Sequence, residues 1–119
     1  MKARLFRLSA DTWDIRTSQP DDPLCFNEKL TAVIGPADFE GGDYFHIDVC
    51  TPRWIQQHHC GLAWGRFMLI VDKYDYEEIA GFVSRYVESC EGENWEELAA
   101  KLSRVMFWEF EDYQFEDAT

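Results

Sequence analysis

The sequence predicts an α+β fold with its strands first and its helices last. Three observations carry this. Short apolar runs, several alternating apolar with polar, fill the first seventy residues. Two apolar stripes at spacings of three and four follow, each opened by a capping residue. Apolar residues make up 46% of the chain and aromatics 16%, which is enough to enclose a core rather than stay disordered. This order implies a mostly antiparallel sheet of about four strands, with two C-terminal helices packed on one face. Its 119 residues suit a single domain, residues 1–119.

Each element has its own signature. Residues 2–8 mix Ala3, Leu5 and Phe6 with Lys2, Arg4 and Arg7, and read as the opening strand. A long connection follows, with turn chemistry at residues 18–23, and Trp13 and Ile15 are expected to fold it back onto the core. Residues 25–34 form the second strand, stopped by Gly35 and Pro36. Gly41, Gly42 and Asp43 make a turn, and residues 44–49 alternate Phe45, Ile47 and Val49 with Tyr44, His46 and Asp48. Thr51 followed by Pro52 opens a short helix, placed at an end of the sheet. Residues 61–65 are a loop into a fourth strand, whose apolar run is Phe67 to Val71.

Asp75 with Glu78 three residues later starts the first long helix, whose stripe is Ile79, Phe82, Val83, Tyr86 and Cys90. Asn94 with Glu97 starts the second, striped by Trp95, Leu98, Ala99, Leu102, Val105 and Met106. The expected core joins Ile79, Phe82, Val83, Leu98 and Leu102 to Phe45, Ile47, Leu69 and Val71.

Charge narrows the function classes. The net charge is −12. Residues 1–71 carry 9 acidic and 7 basic side chains, whereas residues 72–119 carry 14 and 4. A field concentrated in this way repels nucleic acid and attracts a basic protein, although acidic helix faces are also ordinary solvated surface. No apolar run reaches the length of a membrane span, and no apolar signal core follows the basic start. Cys25, Cys50, Cys60 and Cys90 are widely spaced, which suits reduced thiols in a cytoplasmic protein.

Candidates for chemistry are weak. Cys50, His58, His59 and Cys60 are metal-ligand types, but their spacing fits no paired-ligand motif. A nucleophile pair of Cys50 or Cys60 with His46 lacks the electropositive setting that a thiolate needs. Carboxylate pairs such as Glu109 with Asp112 are expected by chance in so acidic a chain, and no glycine loop matches a nucleotide-binding fingerprint. An enzyme is therefore not indicated, and no cofactor or metal is expected. The tail from Phe107 alternates aromatics with acids. Trp108 and Phe110 are expected to close the core, whereas Glu109, Glu111, Asp112, Tyr113 and Phe115 are candidate partner contacts, aromatic anchors in a charged rim.

Four stretches together resemble a known family: Cys50-Thr51-Pro52-Arg53-Trp54; Gly65-Arg66-Phe67-Met68-Leu69-Ile70-Val71 with Tyr74-Asp75-Tyr76-Glu77; Asn94-Trp95-Glu96-Glu97; and Trp108-Glu109-Phe110-Glu111-Asp112-Tyr113. Over residues 44–113 the chain is similar to the immunity protein 8 family of bacterial polymorphic-toxin systems. The resemblance implies a small cytoplasmic protein that neutralises a cognate toxin domain, a nuclease among the options, delivered by contact-dependent growth inhibition or a related route. It supplies no contact residues. An acidic inhibitor would suit a nuclease, whose substrate groove is basic because it holds phosphates. The competing readings are an acidic adaptor for another basic protein and a small Cys/His enzyme.

Overall fold

The structure is a computed structural model and describes residues 1–59 and 61–110. The fold is α+β, as expected, and the described residues form a five-stranded sheet and three helices. Strands β1 (Ala3–Ser9), β2 (Asn27–Pro36) and β3 (Asp43–Cys50) form an antiparallel run in sequence order. Leu30 faces Ile47 and Ala32 faces Phe45 across the β2–β3 ladder, and all four are buried on one face of the sheet. In β1 the register slips between Leu5 and Arg7. That extra residue lets Leu5 and Leu8, three positions apart, both face the core side opposite Ile34 and Ala32. The turn between β2 and β3 requires its glycines, because a Cβ on Gly35 would collide with the Gly41 carbonyl oxygen and one on Gly42 with that of Ile34.

All three anticipated helix starts are present. Helix α1 (Pro52–His58) is capped by Thr51, α2 (Tyr76–Ser89) by Asp75, and α3 (Trp95–Leu102) by Asn94. The cap side chains accept from the amides of Trp54 (3.3 Å), Glu78 (3.2 Å) and Glu97 (2.9 Å). Glu77, Glu78, Glu96 and Glu97 sit in first turns, where the helix dipole favours negative charge. Ile79, Val83 and Val87 of α2 and Leu98, Ala99 and Leu102 of α3 join the sheet's apolar face in the core, and α2 packs over β1. The long connection after β1 does fold back. Ile15 is buried, the Trp13 ring lies 5.6 Å from that of Tyr74, and the Tyr74 hydroxyl donates to the Ile15 carbonyl at 2.5 Å.

Two short strands share the outer edge of β3. Strand β4 (Met68–Ile70) pairs parallel with Asp48–Cys50, and β5 (Phe107–Trp108) pairs antiparallel with Phe45 and His46. β4 is shorter than its apolar run because Phe67 has a positive φ of 59°, which an extended strand does not accommodate. β5 was anticipated only as tail. Asp43 links it to α3: one carboxylate oxygen, Oδ2, accepts from the indole N–H of Trp95 at 2.7 Å and of Trp108 at 2.9 Å. Both rings flank Phe45 at 6.4 Å, one edge-on and one stacked.

Two expected core residues lie elsewhere. Phe82 is 55% exposed; at 100° per residue it stands about 100° from the centre of the Ile79–Val83–Val87 stripe. Phe110 rests edge-on against Trp108 but is itself exposed, so Trp108 alone of that pair closes the core.

Candidate partner-binding surface

Residues 61–67 form the loop that leads into β4. At the centre of this loop Leu62 is 104% exposed and Trp64 is 96% exposed. Gly61, with φ of 83°, precedes them and Gly65 follows. Full wetting of two large apolar side chains forgoes roughly 1.5–3 kcal/mol for each, and neither contributes to the core. Exposed tryptophan of this kind suits a partner surface, where it is among the commonest anchors. α1 next to it buries none of its residues. His58 stacks on Trp54 at 4.6 Å and its Nδ1 is 3.0 Å from the Trp54 carbonyl, while His59 meets the same indole edge-on.

A groove adjoins the loop. Gly65 lies against the Met68 sulfur, since a Cβ there would stand 3.5 Å from Sδ. Met68 in turn lines a cavity of about 440 Å³ between α2 and the β3–β4 edge, walled by Ile47, Leu69, Phe82, Tyr86 and Val105 among others. Arg85 stands at its side. A smaller cavity of about 130 Å³ continues past Phe82 to Ile70, Val71 and Lys73. Ile70 is 56% exposed, so the apolar surface runs along β4 and across Phe82.

The sheet's outer face is mixed. Thr31 Oγ1 lies 3.2 Å from His46 Nδ1, the His46 ring stacks on Phe107, and Phe107 meets Phe67, over which Arg66 is placed 4.4 Å from the ring centre. These aromatics, with Lys29 and Asp48, border a shallow cavity of about 130 Å³.

The sequence-based candidates fall as follows. Glu109 is exposed, and its carboxylate accepts the Tyr44 backbone N–H while its own amide donates to the Tyr44 carbonyl at 3.0 Å. Glu111, Asp112, Tyr113 and Phe115 lie outside the described residues, as does Cys60. Cys50 is fully buried, and burial, with the Asp48 carboxylate adding to it, pushes its thiol pKa up, away from nucleophilic thiolate. His46 is four strand positions from Cys50, about 13 Å along an extended chain. Among the described residues no three His, Cys, Asp or Glu side chains converge as a metal site would need, and no helix is long and apolar enough to cross a membrane. Exposed acids cluster on the helices, with Glu77, Glu78 and Glu88 on α2 and Glu91, Glu93, Glu96 and Glu97 leading into and opening α3.

Leu62 and Trp64 were passed over in the sequence because they obey no period. Their signal was two large apolar residues between glycines in a segment with no strand or helix pattern.

The fold and surface define a small α+β protein with an exposed apolar loop, carrying Leu62 and Trp64, and an apolar groove along β4 on an acidic body, while Leu24, Phe39 and Tyr44 are exposed as well. The model of the family described as Immunity protein 8 matches residues 3–113, and the chain belongs to that family. The match takes in the first strand and the N-terminal third, beyond the stretches that carry the resemblance in the sequence. An immunity protein acts against a toxin, and the family name points to a role that is not enzymatic. Comparisons with curated proteins and with solved structures give no match. Several of the family-like residues prove structural: Thr51 is fully buried as the α1 cap, Asn94 caps α3, and Trp95 and Trp108 share Asp43.

Proposed function

We propose that this chain, as one immunity domain over residues 1–119, neutralises a cognate toxin domain by binding it directly. The observation that carries this reading is membership of the immunity protein 8 family across residues 3–113. The exposed Leu62 and Trp64 supply apolar anchors for such a contact. The acidic helices supply the field that draws in a basic partner, and a nuclease domain is basic where it grips phosphates. Glu109, Glu111, Asp112, Tyr113 and Phe115 are further contacts proposed for that partner, on the chemistry of their side chains in the sequence. The setting is the cytoplasm of a bacterium carrying a polymorphic toxin of the contact-dependent growth inhibition kind. Neutralisation is by occupation and needs no catalysis or cofactor.

The test is co-expression with the toxin domain encoded beside this chain, scoring cell survival and co-purification at low and high salt. Survival with a complex that weakens as salt rises supports the reading. Cell death with no complex at any ionic strength removes it.

A further inference from the structure

The geometry points to β4 and its groove as the seat of an extended strand of the toxin domain, apolar at alternate positions and carrying a carboxylate; this rests on the toxin-binding reading above. The backbone supplies the first argument. Asp48 N–H donates to the Phe67 carbonyl at 3.0 Å and Val71 N–H to the Cys50 carbonyl at 2.9 Å. In a parallel ladder alternate residues of one strand bond to the partner, so Phe67, Leu69 and Val71 turn their peptide groups towards β3. Met68 and Ile70 therefore turn theirs outwards. β4 ends the sheet, and among the described residues no backbone hydrogen bond engages that outer side. An open row of donors and acceptors is a template for one more strand.

The groove supplies side-chain recognition. A strand laid on β4 sends every second side chain to the core side of the sheet, which here is the 440 Å³ cavity walled by Leu69, Phe82 and Val105. Phe82 and Ile70, both more than half exposed, would be covered by it. The carboxylate follows from charge. Residues 72–119 hold only four cations, and two of them, Lys73 and Arg85, border this groove and its extension. An acidic side chain on the incoming strand meets them there.

Amide hydrogen exchange of the full chain, alone and with the toxin domain, tests this. The Ile70 and Met68 amides are expected to exchange at least about tenfold more slowly in the complex. Ile70→Pro removes the outward N–H and no bond to β3, and is expected to weaken binding by at least about tenfold with its urea midpoint close to wild type. Arg85→Glu is expected to weaken binding too, while Ile70→Val preserves it. A complex that forms with no protection at Met68 and Ile70 overturns the strand pairing and leaves toxin binding intact. Protection that appears in this protein alone and grows with its concentration makes the occupant a second copy and overturns the proposal. Absence of any complex removes the toxin-binding reading and this one with it.

Discussion

Replacing Asp43 with alanine tests the joint between sheet and helix. Asp43 Oδ2 receives two indole N–H groups, at 2.7 and 2.9 Å, from residues 52 and 65 positions away. Hydrogen bonds to a charged acceptor contribute about 1.5–3 kcal/mol each. Trp95 and Trp108 are half-buried, so water reaches the orphaned donors in part and the lower end applies. Asp43→Ala should therefore cost roughly 2–4 kcal/mol, a large share of the roughly 5–15 kcal/mol that holds a domain together. With a urea m-value of about 2 kcal/mol/M, the middle of the usual range, the midpoint should fall by roughly 1–2 M. Asp43→Asn keeps an acceptor oxygen and should lose about half as much. Urea unfolding followed by tryptophan fluorescence and by far-UV circular dichroism measures both variants, and a double-mutant cycle with Trp108→Phe isolates one bond. An alanine variant within about 0.5 kcal/mol of wild type, at unchanged m, would refute the reasoning.

Three further outcomes are expected. Thr51→Val removes an oxygen that accepts from the Phe26 and Trp54 amides inside the protein, and should cost about 1–3 kcal/mol in the same unfolding experiment. Burial, with Tyr76, Asp14 and Glu28 adding to it, pushes the Tyr74 phenol up to about 12 from 10. The folded state then holds the proton more tightly, so this stability is fully present below pH 10 and is lost as pH rises from 10 towards 12. Thermal unfolding across that window should fall less steeply in Tyr74→Phe than in wild type, and equal slopes would count against it. Trp64→Ala and Leu62→Ser should leave the urea midpoint within about 0.5 kcal/mol of wild type, since both side chains are fully exposed. Toxin affinity should drop by a factor of about 30 for Trp64→Ala, as for an anchor worth about 2 kcal/mol. Unchanged affinity in both variants would move the interface off this loop.

The sequence was most legible where a local rule decides the outcome. Thr51, Asp75 and Asn94 announce their helices because a cap needs one short polar side chain and an amide three residues on. The alternation of Phe45, Ile47 and Val49 settles which face of β3 is buried. Features created by distant pairing were not legible. β5 is two residues long, and its partner lies 62 positions earlier in the chain, so no pattern within residues 107–108 could announce it. The left-handed Phe67 shortened β4 inside an apolar run that read as longer. Phe82 matched the helical spacing on one side of the stripe yet stands off its centre and is left more than half exposed beside β4. Family-like residues stood out in the sequence, and several turned out to hold the fold, whereas the exposed Leu62 and Trp64 belong to no motif.

The division of one strand edge between β4 and β5 also bears on how the protein is made. β3 leaves the ribosome with its Phe45–His46 edge bare, and the segment that covers it, residues 107–108, emerges some sixty residues later. At about 5–20 residues per second the nascent chain carries that open edge for several seconds. The carboxylate waiting on it, Asp43, has neither indole to bind until Trp95 and then Trp108 arrive. Closure of the sheet is thus a late event in synthesis, and chains arrested before residue 107 leave with the Phe45–His46 edge still able to pair with a stranger.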